Sequence, residues 1–158
     1  MSNVRLNISK EIVFDALRIS PGVLLQIQEF WLKRIQGFTR RGTSLVTDSS
    51  FKSLSTAYKA FRANYTGTKG KSFRPNKSNL TLTGQLLESL KGRSNVRKQE
   101  VTIFASGRRD DGQNNADVAE YVAEQGRPFL GIDKKGIQRI EQIITRDLRR
   151  QWKKRRRR

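Results

Sequence analysis

Apolar and polar positions follow two rhythms along this chain. VRLNIS at residues 4–9 sets Val4, Leu6 and Ile8 against Arg5, Asn7 and Ser9, and this alternation predicts a short strand with one buried face. KEIVFDALR then changes rhythm and places Ile12, Val13, Ala16 and Leu17 on one helical face. Ser20-Pro21 supplies a helix N-cap and a proline at the first helical position, where its missing N–H costs nothing. The helix it opens carries Val23, Leu24, Ile27, Phe30, Trp31 and Ile35, the strongest apolar stripe of the first half. After the turn-rich TRRGTSLVTDSS, the residues Phe51, Leu54, Tyr58, Phe61 and Tyr65 recur at helical spacing. TGTKGKSFRPNKSN, residues 66–79, has no apolar period, and its Gly, Ser, Pro and Lys content predicts a long mobile loop.

LTLTGQLLESLKG reads as a helix with Thr83 as N-cap. Leu82 and Leu87 form a hydrophobic staple, Leu86, Leu87 and Leu90 face the core, and Gly92 closes the helix. KQEVTIFAS predicts a strand with Val101, Ile103 and Ala105 on one face and Phe104 on the other, so both faces are expected to be covered. GRRDDGQNNA is a second polar loop. A short helix follows, with Asn115 as cap, Val118, Tyr121 and Val122 as its stripe and Gly126 as its stop. RPFLGI is extended, since Pro128 disfavours helix at Arg127. Asp133 caps a last helix with Ile137, Ile140, Ile144, Leu148 and Trp152 in one row. Phe30, Trp31, Phe61 and Tyr121 are read as packing residues.

These elements add up to an α+β fold, a small, mainly antiparallel sheet packed against several helices, with an extended basic loop and a C-terminal tail. The expected organisation is one domain over residues 1–152, with 1–19 a candidate N-terminal arm and 66–79 a flexible basic loop, followed by a basic tail at 153–158.

Charge changes the picture more than composition does. The 158 residues carry 33 Lys and Arg against 14 Asp and Glu, a net charge of +19, and +13 remains without the tail. Such a field attracts polyanions and acidic protein surfaces alike. Two clusters stand out for contact with nucleic acid or an acidic partner. One is Lys69, Lys71, Arg74 and Lys77 in the loop, with Phe73 interleaved. The other is Arg149, Arg150, Lys153, Lys154, Arg155, Arg156, Arg157 and Arg158 at the C-terminus.

The chain has no Cys and no His, which removes disulfides, thiolate nucleophiles, the usual zinc sites and imidazole acid–base chemistry. Asp110-Asp111 is the only adjacent acidic pair and reads as a solvated turn beside Arg108 and Arg109. TGTKGKS fails the phosphate-loop spacing, because Gly67 and Gly70 lie only three apart. The expectation is a protein that is not an enzyme and holds no cofactor or metal. No apolar run reaches the ~20 residues that span a bilayer, and no signal peptide is evident, so no membrane partner is expected.

Five pieces of the second half, taken in order, resemble a known family. They are LTGQLLESL (82–90), VTIFAS (101–106), VAEYVAEQG (118–126), RPFLGI (127–132) and an amphipathic terminal helix. The string, over about residues 80–150, resembles the tail-completion or virion-morphogenesis proteins of tailed bacteriophages, minor proteins of the neck and head–tail joining region. In that family a TG-x-L helix start precedes a β-hairpin, and a helix ending in Gly runs into an RPFLG segment and a final helix. The resemblance singles out Thr83, Gly84, Leu86, Tyr121, Gly126, Arg127, Pro128, Phe129, Leu130 and Gly131 as structural or interface positions. It implies a non-enzymatic structural protein, assembled in the host cytoplasm and located in the virion. It would work as a homo-oligomeric ring or a clamp between connector and tail, with other neck, connector or tail-tube proteins as partners and nonspecific contact with genomic DNA. The charge keeps a second reading open, a sequence-nonspecific nucleic-acid binder acting through the basic loop and tail.

Overall fold

A computed structural model describes the backbone of residues 3–7 and residues 18–71 and 73–156. The fold is α+β. Three antiparallel strands, β1 (Asn3–Asn7), β2 (Leu90–Asn95) and β3 (Glu100–Ala105), lie in the order β1-β3-β2, with Leu6 paired to Val101 and Gly92 to Ile103. Five helices surround them: α1 (Pro21–Arg41), α2 (Thr56–Ala63), α3 (Gln85–Glu88), α4 (Asn115–Glu124) and α5 (Lys134–Arg155). The candidate arm at 1–19 thus contributes β1 to the sheet through residues 3–7. The helical stripe expected of Ile12, Val13, Ala16 and Leu17 lies outside the described residues, as do Ile8, Arg157 and Arg158.

The core forms where α1 crosses β2 and β3 and meets α5. Leu24, Ile27, Trp31 and Ile35 are buried on one side of α1, as their spacing predicts. They meet Val101, Ile103 and Ala105 of β3 and Ile140, Ile143 and Ile144 of α5. Each Leu, Ile or Val among them contributes roughly 1.5–3 kcal/mol on burial. Leu86, Leu87 and Leu90 are buried as expected, and Phe104 on the far face of β3 is half-buried.

Several local expectations give way. The segment after Leu80 makes one helical turn, not a helix running to Gly92, and its N-cap is Gly84 at φ 82°, not Thr83. Residues 90–95 pair with β3 instead, and Gly92 sits in that strand, where an added Cβ would fall 2.3 Å from Cγ of Gln28. Register against β3 decides this, because it buries Leu90 while completing the backbone ladder. Phe51 and Leu54 are buried in extended chain before α2, so the aromatic periodicity overstates that helix. Asn115 is the first residue of α4, not its cap, and its amide donates to the carbonyls of Ser106 and Gly107 at 3.0 and 3.2 Å.

Four residues expected to pack are exposed: Phe61, Tyr121, Ile137 and Trp152. On α4 Asn115 and Ala119 are buried, Val118 and Val122 of the expected stripe pack partly against the core, and Tyr121 alone of that stripe is turned outward. On α5 the buried row is Gly136, Ile140, Ile143, Ile144 and Asp147, which leaves Ile137 and Trp152 outside. The boundary placed at 152/153 falls inside this helix: Lys153, Lys154 and Arg155 are its last turn and Arg156 its C-cap. Cations there complement the negative end of the helix dipole, so the helix carries on where composition suggested a tail.

Candidate functional site

RPFLG is the connection that ties the two halves of the body together. Phe129 is buried in the core. The Trp31 indole N–H donates to the Gly131 carbonyl at 2.8 Å, and the Ser44 hydroxyl donates to the Pro128 carbonyl at 2.5 Å. Arg127 reaches Ser78 Oγ at 2.9 Å and the carbonyls of Lys52 and Ser53. The connection is held by α1 and by the segment after it. Gly126 takes φ 78°, ending α4 just before this segment, and Leu130 packs partly on the core. Gly131 is buried with Val46 close over its Cα.

At the start of the motif string, Thr83 Oγ1 accepts from the Gln85 N–H at 3.4 Å, and the backbone of Gly70 packs directly on Gly84. The same contact docks the basic loop, whose Gly70 N–H donates to the Leu82 carbonyl at 3.1 Å. Lys69, Lys71, Arg74 and Lys77 are all exposed on this loop. Lys69 sits 5.3 Å from the Phe73 ring centroid, so Phe73 is occupied by cations of its own chain. Arg149, Arg150, Lys153, Lys154, Arg155 and Arg156 are exposed along the end of α5. Arg146, Arg149, Arg150 and Lys153 edge a shallow surface groove lined by α5 residues alone, so the second basic surface is a helix face.

A larger concavity lies elsewhere. It is a groove of about 980 Å³ between α2 with its flanking segments and α4 with the hairpin at 108–114. Leu54, Leu80, Leu82, Leu86, Val118 and Val122 give it an apolar floor. Tyr58 and Tyr121 flank it, and Lys52, Arg62, Arg108, Arg109 and Arg127 supply its charge. Asp110 and Asp111 are spent locally in the neighbouring turn: Asp110 bonds Gln85, and Asp111 pairs with Arg109 at 3.3 Å.

Beside the groove, α2 shows its aromatic side outward. Tyr58 stacks on Phe61 with centroids 5.8 Å apart, and Phe61 meets Tyr65 at 6.2 Å. The buried residue of α2 is Arg62, whose guanidinium donates to the Arg74 carbonyl at 2.9 Å and to Asn79 Oδ1 at 3.3 Å. Sequence reasoning missed Lys52, Arg62 and Arg108 as site residues. They lie in three separate segments, and no local spacing links them.

Searches of protein-family models, curated proteins and solved structures found no match for this chain. No helix among the described residues is long and apolar enough to cross a membrane.

Proposed function

We propose that the chain is a non-enzymatic structural protein of a bacteriophage neck or tail, acting in tail completion or head–tail joining as an oligomeric ring or a clamp between connector and tail. The observation that carries the reading is the outward aromatic row of α2. Tyr58 and Phe61 are 40% and 54% exposed although the helix has an apolar side to bury, and Tyr121 adds a third large ring at 60%. Exposed aromatics clustered on one side suit contact with another protein. The motif string that resembles the virion-morphogenesis proteins supports the same reading, because its pieces fold into one connected body around Phe129 and Trp31.

The test is loss of the protein during particle production. Heads and tails should accumulate unjoined, or joined particles should be unstable, and complementation should restore them. Purified protein should also co-assemble with connector or tail subunits and be present in particles at a fixed copy number. Normal particles formed in its absence, with none of the protein in wild-type virions, would reject the proposal.

One observation favours a second reading, contact with nucleic acid. The end of α5 presents Arg146, Arg149, Arg150 and Lys153 on one helical surface, an arrangement suited to a phosphate backbone. Deleting residues 153–158 should then reduce duplex DNA affinity and flatten its dependence on salt, roughly in proportion to the number of phosphates no longer neutralised. Unchanged affinity and slope would remove this reading.

A further inference from the structure

The groove between α2 and α4 is positively charged and short of counter-charge. Its five cations face one lining carboxylate, Asp117, and Arg109 is already engaged by Asp111. Arg62 is the most informative of them. It is 2% exposed, its guanidinium lies 5.9 Å from the Tyr58 centroid and 5.1 Å from that of Phe73, and its hydrogen bonds go to neutral oxygens. Its Nε is buried and has no partner. Burial pushes its pKa down, Tyr58 opposes this with a smaller upward pull, and nearby Arg127 adds a lesser downward push. Buried charges in folded proteins are normally paired, because an uncompensated one is costly.

We propose that this groove receives an acidic segment of a partner protein. Its carboxylates would pair with Lys52, Arg108 and Arg127, and its aliphatic or aromatic side chains would cover the leucine and valine floor between Tyr58 and Tyr121. The inference deepens the assembly role above and rests on it only for the source of the partner. Charge selects the occupant. A second copy of the chain brings another +19 to a site whose cations already outnumber its carboxylates. A polynucleotide supplies anions, but its sugar–phosphate backbone leaves an apolar floor uncovered, whereas an acidic amphipathic peptide satisfies both. Arg62 lies beneath the surface, where its field is weakly screened and strengthens the attraction for a bound carboxylate.

The experiment is fluorescence anisotropy on the full chain with a labelled peptide of alternating glutamate and leucine. Its glutamine-for-glutamate twin and a DNA duplex serve as comparisons. The acidic peptide should bind saturably, and the twin about tenfold more weakly or worse. Lys52→Glu combined with Arg108→Glu should weaken the acidic peptide by about tenfold or more. Both side chains are exposed, so circular dichroism and the Tm should stay as in wild type. If the double reversal unfolds the chain, Lys52→Gln with Arg108→Gln gives the same comparison with a smaller loss. Lys98→Glu, at an exposed position in the turn between β2 and β3 and outside the groove, should leave peptide binding unchanged.

Equal affinity for the two peptides, or no effect of the Lys52 and Arg108 changes in a folded variant, overturns the proposal. So does a duplex that displaces the peptide and itself loses affinity in that variant, which would give the groove to nucleic acid. A chain that binds the acidic peptide here yet never enters particles keeps the groove and loses the assembly role.

Discussion

Asp133 does two jobs at one position. Its carboxylate accepts the Gly136 N–H at 3.2 Å as the N-cap of α5, and it accepts Arg34 Nε at 2.6 Å, joining α5 to α1. The hydrogen bond from Arg34 holds the Asp133 carboxyl below the usual range, against a smaller opposing effect of burial. A depressed folded-state pKa stabilises the fold above the unfolded value of about 4, and that stability is lost as pH falls through the folded value. Asp133→Ala should therefore cost about 2–4 kcal/mol in urea unfolding at neutral pH, since it removes a cap and strands a partly buried Arg34. Asp133→Asn keeps the cap acceptor and should cost less, and its deficit against wild type should shrink as pH falls below the ordinary carboxylate value of about 4. A deficit independent of pH would show that the charge of Asp133 contributes nothing. Nearby in sequence, Asp147 performs a similar tie, accepting Ser20 N–H at 3.0 Å and Ser20 Oγ–H at 3.2 Å. Ser20 was legible as a helix start, but its hydroxyl makes no cap bond to α1. It is turned to a carboxylate far along the chain, a partner no local rule could name.

Among the elements, α2 departs most from what its periodicity suggests. An amphipathic helix normally turns its apolar side inward, and this one buries Arg62 and shows Tyr58 and Phe61. The reason lies in the loop that follows. Arg62 is the donor that holds Arg74 and Asn79 in place, and Asn79 in turn accepts from Thr81 Oγ1 at 2.6 Å and donates to the Arg40 carbonyl at 3.2 Å. The polar network fixes the helix's rotation and leaves the aromatic row outside. Phe61→Ser should change monomer stability by less than about 1 kcal/mol, because the ring is mostly exposed. It should nevertheless impair co-assembly with virion components, scored by particle yield from a complemented deletion. A large fall in Tm would show that the ring belongs to the core. Trp152 teaches the same lesson in α5, where Arg156 lies 5.3 Å from its ring and the apolar row has rotated past it.

At the scale of the whole molecule, net charge governs association. Copies carrying +19 repel one another, and salt shortens the range of that repulsion to about 8 Å near physiological ionic strength. If the chain forms rings, sedimentation velocity should show mostly monomer at low salt. The oligomer fraction should rise as salt is added or when an acidic partner is supplied. Self-association that weakens with added salt would show that attraction between opposite charges dominates the contact. The groove and the α5 surface would then divide the labour: the first suits a protein segment with carboxylates and apolar side chains, the second an open run of phosphates.

The apolar rhythm by itself determined the α+β class, the existence of α1, β3 and α5, and core residues such as Leu24, Trp31, Ile103 and Ile144. These follow from local spacing, because a residue's neighbours along one helix or strand fix which positions share a face. The extent of α2 and of the turn at Gly84, the outward placing of Phe61, Tyr121 and Trp152, and the gathering of Lys52, Arg62, Arg108 and Arg127 were decided only in three dimensions. Strand register, the Gly70–Gly84 contact and the Arg62 hydrogen bonds link segments far apart in sequence, and the free energy of those links outweighs the local preference of each piece.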